Sequence, residues 1–286
     1  MGFDEKTGFL CKYVVDGVSY LAEGAQLTPN FWRAPTDNDM GAGQQIRFGV
    51  WKNPEMQLVG MDDVFDAQGQ RVVTARYEMP SVEAELVMTY TIDEQRGSVA
   101  VREQLIAKGK AAPVVHRRGR EEKPEGIQPL FRFGMQLPMP VGFEKLAYYG
   151  RGPIECYCDR KDAQFVGVYE NNVSDEFYSY IRPQESGNHV DLRWMILGTV
   201  DGKRLRITAN GLFSGSALHY TQESLDEGLE KRNLHSPDVA PANLTNVCID
   251  LKQMGLACEN SWGAWPRAEY RLLYQSYEFC FVMEVE

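Results

Sequence analysis

The chain has 286 residues, of which 43% are hydrophobic and 11% aromatic, an ordinary composition for a globular protein. Its net charge of -10 argues against nucleic acid as a partner, because phosphate binding needs a clustered basic surface. No apolar stretch approaches the roughly 20 residues that cross a bilayer, so no membrane partner is expected. The one dense basic run, His116-Arg-Arg-Gly-Arg120, precedes two glutamates and is typical of a solvated loop.

Alternation of apolar and polar residues runs through the chain and predicts strands with one buried face. In chain order the apolar sets are Val73-Ala75-Tyr77-Met79, Ala84-Leu86-Met88-Tyr90, Val190-Leu192-Trp194-Ile196, Leu205-Ile207-Ala209 and Tyr277-Phe279-Phe281-Met283-Val285. Many strands with few helices must bury their faces against other sheets. The pattern therefore predicts an all-β fold, a large antiparallel sandwich, as a single domain over 1–286.

Turn and helix signals divide these runs. Asp201-Gly202 joins two strong strand patterns and predicts a two-residue hairpin. Thr221 is placed to cap a short helix within 221–232, which Gly228 keeps short. The segment 108–128, rich in glycine, proline and charge, is predicted to be a long loop.

The cysteines indicate free thiols and leave the compartment undecided. A large chain with six cysteines lacks the density of a disulfide scaffold. Cys156 and Cys158 are expected not to be bridged, because strand rise puts their side chains about 6.6 Å apart. The N-terminal Met-Gly-Phe-Asp-Glu-Lys lacks the apolar core of a secretion signal. In a longer protein that signal would lie upstream, so both the cytoplasm and the periplasm of a bacterium stay open.

The first polar motif is Asn30-Phe-Trp-Arg-Ala-Pro-Thr-Asp-Asn-Asp39. Its acidic groups could suggest a calcium loop, but no bidentate glutamate follows at the required spacing. Arg33 is an available ion-pair partner, so a structural network of arginine and aspartate is favoured. The small residues of Gly41-Ala-Gly43 follow it and predict a flexible segment.

Two further motifs carry carboxylates that could be nominated as catalytic: Tyr149-Gly-Arg-Gly-Pro-Ile-Glu155 with Asp159-Arg-Lys161, and Arg182-Pro-Gln-Glu-Ser-Gly-Asn188. Glycoside hydrolysis needs two carboxyl groups facing each other across the scissile bond. Glu155, Asp159 and Glu185 all have arginines nearby in the sequence, which favours structural ion pairs over proton donation. For Glu155 the expected partner is Arg151 or Arg160.

The fourth motif is Asp250-Leu-Lys-Gln-Met-Gly255 with Ser261-Trp-Gly263. In this order and spacing the four motifs resemble the C-terminal domain of lactose-cleaving β-galactosidases of glycoside hydrolase family 2, from about Phe3 to the C-terminus. The chain departs from that pattern at Cys156 and Cys158, and in the run 257–260 before Ser261. These differences affect the loops more than the family placement.

The resemblance implies a galactose-mutarotase-like β-supersandwich that shapes the aglycone side of an active site. It implies retaining hydrolysis of terminal β-galactosides such as lactose, with both catalytic glutamates on a barrel outside this chain, so the chain alone is expected to be inactive. The implied partners are the β-galactoside or its leaving-group sugar and the catalytic barrel. By resemblance, Trp262 stacks on the leaving-group sugar, while Trp265 suits a core position. The implied active-site rim comprises Gly41, Ala42, Gly43, Gln44, Gln45, Ile46 and Arg47.

Two other functions stay open from the sequence. The domain could be a carbohydrate-binding module without catalysis. It could also be a free-standing mutarotase, in which His189 and His219 would perform acid–base chemistry. No motif around these histidines matches that activity, and a hydrogen-bonded structural role is favoured for them. No cofactor or metal site is predicted in this chain.

Overall fold

The computed structural model describes residues 1–114, 125–257, 259–260 and 263–286. Strands dominate this part of the chain. Their bounds are β1 (Gly2–Phe3), β2 (Leu10–Lys12), β3 (Val14–Val15), β4 (Val18–Ser19), β5 (Thr28–Asn30), β6 (Gln57–Phe65), β7 (Arg71–Met79), β8 (Ala84–Asp93), β9 (Ser98–Ala107), β10 (Arg132–Pro140), β11 (Lys145–Gly152), β12 (Phe165–Asn172), β13 (His189–Gly198), β14 (Arg204–Leu218), β15 (Leu244–Gln253) and β16 (Tyr277–Val285).

Helices in the described residues are short. The α-helices are α1 (Asp37–Gly41), α2 (Gln44–Arg47) and α3 (Gln222–Leu225). Single 3-10 turns occur at Gly49–Trp51, Pro80–Val82, Val173–Asp175, Ser236–Asp238 and Ala268–Tyr270. The predicted cap is confirmed, because Thr221 accepts a hydrogen bond from the backbone N–H of Ser224 at the start of α3. No helix in the described residues is long and apolar enough to span a membrane.

The main sheet branches at β14. Its principal order is β12-β11-β13-β14-β16-β9-β8-β7-β6, and every pairing is antiparallel. The first half of β14 (205–209) pairs with β16, whereas its second half (214–218) pairs with β15. β15 continues through β10 to β5. The fold is therefore the predicted all-β, antiparallel supersandwich, in which one long strand belongs to two diverging sheets.

The predicted alternation is confirmed where the ladder is regular. Along β8 every second side chain from Ala84 to Ile92 is buried, and on β7 the set from Val73 to Met79 is buried too. On β16, Phe279, Phe281 and Met283 are buried. These faces join one main cluster of buried hydrophobic side chains. The assignment of 1–286 to a single domain stays a prediction.

The predicted buried face of β13 is confirmed at Val190, Leu192 and Ile196, which are buried, and is wrong at Trp194. Leu192, Met195 and Leu197 enter the main core, but Trp194 is only half-buried and takes no part in it. The register of β13 against β14 shifts on both sides of Leu192, and Asp191 adopts a left-handed conformation with φ 55°. The core residues Leu192 and Met195 are three residues apart, so the change of face coincides with the second shift, between Leu192 and Trp194.

The hairpin that joins β13 to β14 has three loop residues instead of two. Gly202 N–H donates to the Thr199 carbonyl, the Thr199 N–H donates to Lys203, and Gly202 has φ 90°. This is a tight turn followed by a left-handed residue, so the glycine provides the conformation that a bulge requires. The predicted position is right and the predicted loop length is wrong.

Two other predictions concern loops and thiols. The predicted loop at 108–128 lies between β9 and β10, and its residues 115–124, with His116, are outside the described part. Five cysteines are described, and all five are free thiols, which confirms that Cys156 and Cys158 are not bridged. Cys258 lies outside the described residues.

A carboxylate occupies a core position on β9. Val99, Val101, Glu103 and Leu105 share the buried face, and Glu103 has no exposed surface. Neither of its carboxylate oxygens has a hydrogen-bond partner among the described residues. Burial raises the pKa of Glu103 well above its ordinary value, and the nearby Asp250 carboxylate raises it further. Both effects favour the protonated form of Glu103 in the folded chain.

We expect Glu103→Gln to remove part of the pH dependence of stability. The unfolded carboxyl titrates near pH 4.3, so folding takes up a proton above that pH. The resulting stability is complete below pH 4.3 and declines by up to about 1.4 kcal/mol per pH unit until the folded pKa is passed. Urea unfolding of both proteins between about pH 5 and 8 should show the variant gaining relative stability as pH rises. Glu78→Gln is the control, because it makes the same substitution at an exposed position; equal slopes in all three would refute the raised pKa of Glu103.

Candidate functional site

The first motif is organised by the buried guanidinium of Arg33. Its Nε and Nη2 donate to Asp39 at 3.0 and 2.7 Å, and Nη2 also donates to the Gly255 carbonyl at 3.1 Å. Both side chains are almost fully buried. Asp39 completes a capping box with Thr36 at the start of α1. The predicted structural Arg–Asp network is confirmed, and it also joins the first motif to the fourth.

The second motif holds the loop of the fourth through Asp159. The carboxylate of Asp159 accepts the backbone N–H groups of Leu256 and Ala257 at 3.0 and 2.9 Å. An added Cβ at Gly255 would lie 2.4 Å from that carboxylate, so the close approach requires glycine. Ala257 has φ 65°, an unusual conformation for a residue with a side chain. The expected ion pair of Asp159 with an arginine is wrong, because backbone amides hold it.

Glu155 joins the second motif to the third. It pairs with Arg160, and it accepts the backbone N–H of Gly187 at 2.7 Å. Of the two predicted partners, Arg160 is confirmed and Arg151 is wrong, because Arg151 pairs with Asp191 at 2.5 Å instead. Glu155 is thus engaged on both sides by donors from its own scaffold.

Glu185 connects the third motif to the first and fourth motifs and to Arg132. It accepts from Arg132 at 2.8 Å and from the Gln253 side chain at 3.0 Å, while its backbone N–H donates to the Ala34 carbonyl. The predicted ion pairing of Glu185 is confirmed. The four motifs are far apart in sequence, but buried hydrogen bonds connect them in one network. We call this network the motif face.

Arg132 is a member of this network that sequence reasoning missed. Its side chain is 1% exposed and lies 3.2 Å from Asp250, an ion contact whose angle does not make a hydrogen bond. Burial raises the pKa of Asp250 to about 8 against the opposing effect of Arg132. A charged residue among the apolar residues of a strand was the available signal, both for Arg132 before Phe133 on β10 and for Glu103 on β9.

The predicted rim segment is helical. α1 ends at Gly41, Gly43 has φ 68°, and α2 follows immediately. Side chains of Gln44, Gln45 and Arg47 are buried in it. The expected flexible chain is therefore wrong in conformation, because two short helices and their buried amides order it. The role of 41–47 as an active-site rim stays a prediction.

Ser261 and Trp262 lie outside the described residues, so the role of Trp262 stays a prediction. The residue after them is described, and it lies against the rim segment. A Cβ built on Gly263 would be 3.1 Å from the Gly41 carbonyl oxygen and 3.3 Å from Ala42 Cα. The structure thus brings Gly263, the last residue of the fourth motif, into contact with the predicted rim at Gly41 and Ala42. Trp265 is buried and packs edge-on against Phe48, which confirms its predicted core position.

The histidines have structural partners of their own. His189 is fully buried, with Nε2 2.7 Å from Glu176 and Nδ1 3.2 Å from the Arg151 carbonyl. Burial lowers its pKa, but the Cys156 thiol and Glu176 outweigh this and raise it to about 9. His219 contacts Glu144 and the Leu244 carbonyl. The favoured hydrogen-bonded role is confirmed for both residues.

Comparison with known proteins identifies this arrangement. The family model described as the β-galactosidase small chain matches residues 1–283. The chain belongs to this family. Similar proteins include β-galactosidases of Lactobacillus delbrueckii subsp. bulgaricus, Streptococcus thermophilus and Priestia megaterium, at 32%, 30% and 29% identity. Each match covers 94% of this chain and 24% of the relative, so the chain spans about a quarter of the length of these enzymes.

Solved structures are more distant. The GH36 α-galactosidase AgaA of Geobacillus stearothermophilus matches at 9% identity with a TM-score of 0.44, covering 82% of this chain and 28% of that enzyme. A putative aldose 1-epimerase of Escherichia coli K12 matches at 10% identity with a TM-score of 0.40, covering 98% and 82%. The membership in the β-galactosidase small-chain family confirms the resemblance inferred from the four motifs.

Replacement of Arg33 tests the network of this small chain. We expect Arg33→Lys to lower the free energy of unfolding by about 2–4 kcal/mol, because lysine keeps the charge but cannot bind Asp39 in two places and reach the Gly255 carbonyl as well. Arg76→Lys, at an exposed pair with Asp62, should change it by less than about 0.5 kcal/mol. Urea denaturation measures both. A loss at Arg33 no larger than at Arg76 would show that the buried fork does not hold the motif face.

Proposed function

We propose that this small chain forms the aglycone side of the active site in a β-galactosidase that hydrolyses terminal β-D-galactosides such as lactose. The catalytic glutamates of that retaining reaction belong to a barrel outside this chain. The observation that carries the proposal is the contact between Gly263 and the segment at Gly41 and Ala42. Because Gly263 directly follows Trp262 in the sequence, this contact supports the assignment of Trp262 and the predicted rim to one site. The names and lengths of the relatives support the setting in a larger enzyme.

The motif face is suited to hold in place the loops that would form the aglycone side of the active site. Buried ion pairs fix its loops through Arg33 and Arg132, and backbone amides fix Asp159. A sugar subsite needs its contact groups held within fractions of an ångström, which loops of this length achieve only when their own backbone is bound. The carboxylates of the motif face hold the loops, and in this proposal the chemistry lies elsewhere.

The chain alone should not hydrolyse β-galactosides. Retaining hydrolysis requires two positioned carboxyl groups about 5.5 Å apart, one as acid and one as nucleophile. Glu155 and Glu185 are each bound by an arginine and a further donor, so neither is placed to act in that way. A chromogenic β-galactoside should show no turnover above buffer with the purified chain. Turnover that is lost on Glu155→Gln or Glu185→Gln would place catalysis in this chain.

Trp262→Leu tests the aglycone assignment in the full-length parent protein. Loss of an indole that stacks on the sugar should cost about 1–2 kcal/mol, or about tenfold in apparent affinity for lactose and for glucose as acceptor. The melting temperature should change little. Trp194→Leu, which removes a half-buried indole from β13, should leave sugar affinity unchanged and serves as the control. If Trp262→Leu melts much earlier while glucose affinity is retained, Trp262 is a packing residue.

A further inference from the structure

A second cleft opens at the branch of the main sheet. Between Ala209, the last β14 residue paired with β16, and Ser214, the first paired with β15, residues 210–213 pair with neither strand. Gly211 has φ 109° and Leu212 is 51% exposed. The diverging strands leave a cleft of about 350 Å³, lined on one side by this stretch and on the other by the segment before β16. That size lies within the range of small-molecule sites.

Two bulges border the same cleft. On β13, Asp191 sits at the register shift with φ 55°, and it lines the cleft together with Lys161. On β15, the pairing with β10 passes from Lys252 to Asp250 and omits Leu251. Bulges are frequent beside binding sites because they redirect side chains, and a left-handed aspartate persists only where its surroundings fix it. Here Arg151 at 2.5 Å and Lys161 at 3.2 Å fix Asp191.

The lining defines the class of ligand. Leu212, Phe213 and Leu272 provide apolar surface, and Tyr270 and Tyr277 provide aromatic rings. Polar groups on the walls include carboxylate acceptors and amine and amide donors, with the cations Lys161, Lys252 and Arg271 set against the anions Asp191 and Glu269. Because positive and negative side chains are nearly equal in number, the cleft favours neither an anionic ligand such as phosphate nor a cationic ligand such as an ammonium group. A pyranose ring matches this mixture, because its hydroxyls both donate and accept while its C–H face is apolar.

We propose that this branch cleft binds a neutral hexopyranose, at a site separate from the one assigned to Trp262. The two differ in position on the chain: the branch cleft is built from β13, β14, β15 and the segment 269–277, whereas Gly263, the residue after Trp262, contacts Gly41 and Ala42. The proposal does not depend on the aglycone assignment.

The experiment compares tryptophan substitutions inside and outside the cleft. Ligand-observed NMR titrations of the 286-residue chain use D-galactose, D-glucose and inorganic phosphate as probes. We expect saturable binding of a hexose and none of phosphate. Leu212→Trp should fill the cleft and weaken hexose binding at least tenfold, and Gln275→Trp should do so from the opposite rim. Val200→Trp, at a hairpin tip with 83% exposure, should bind as the unchanged chain does.

Trp262→Leu separates this site from the proposed active-site wall. Leu212→Trp should weaken hexose binding to the isolated chain by the same factor with and without Trp262→Leu. Melting temperatures of all variants establish that a loss of binding is local, and Gln275→Trp decides the matter if Leu212→Trp does not fold. The proposal is overturned if the chain binds no hexose, if both cleft variants bind like Val200→Trp, or if Trp262→Leu abolishes binding.

Discussion

The arrangement of the candidate site depends on one buried cation, the guanidinium of Arg33. Burying an isolated charge is costly, so its neighbours must supply acceptors on every side. Asp39 neutralises it from the same motif, and the Met254 and Gly255 carbonyls complete its coordination from the far end of the chain. Since carbonyl groups can only accept and a guanidinium can only donate, few other side chains could replace it. The loop that leads toward Trp262 is consequently fixed to α1.

The same principle repeats around the motif face with different groups. Arg132 makes buried ion contacts with Glu185 and Asp250, as Arg33 does with Asp39. Asp159 is the converse case, because here the buried network contains a carboxylate that accepts hydrogen bonds from two consecutive backbone amides. This is among the stronger hydrogen-bond arrangements of a carboxylate. Loops that contain no regular structure acquire a defined geometry in this way. Such a structure has polar groups in its interior, where they are costly to bury. Glu103 is an example, because its carboxyl has no hydrogen-bond partner among the described residues.

Much of the fold could be predicted from the sequence because sheet burial has a simple period. Wherever a strand pairs without interruption, as β8 does with both neighbours, the alternation of residue types gives the buried face correctly. The prediction fails at Trp194 because nothing in the local pattern of β13 shows the register shift between Leu192 and Trp194. Only the pairing with β14 reveals it. The predicted loop length at Asp201-Gly202 is wrong for a related reason. A two-residue and a three-residue hairpin loop can contain the same glycine, so the local sequence does not distinguish them.

The candidate site was less predictable, because its contacts join residues that are far apart in sequence. The pairing of Arg33 with Asp39 lies within six residues and could be inferred, whereas that of Arg132 with Glu185 and Asp250 could not. Charged residues at inward positions of a strand were the signal that was overlooked. Such residues are costly to bury, so each indicates a partner that another strand or loop must supply. In this chain the partners of Arg132 on β10 are Glu185 and Asp250, which belong to the third and fourth motifs, so this buried arginine connects the sandwich core to the surface that the motifs form.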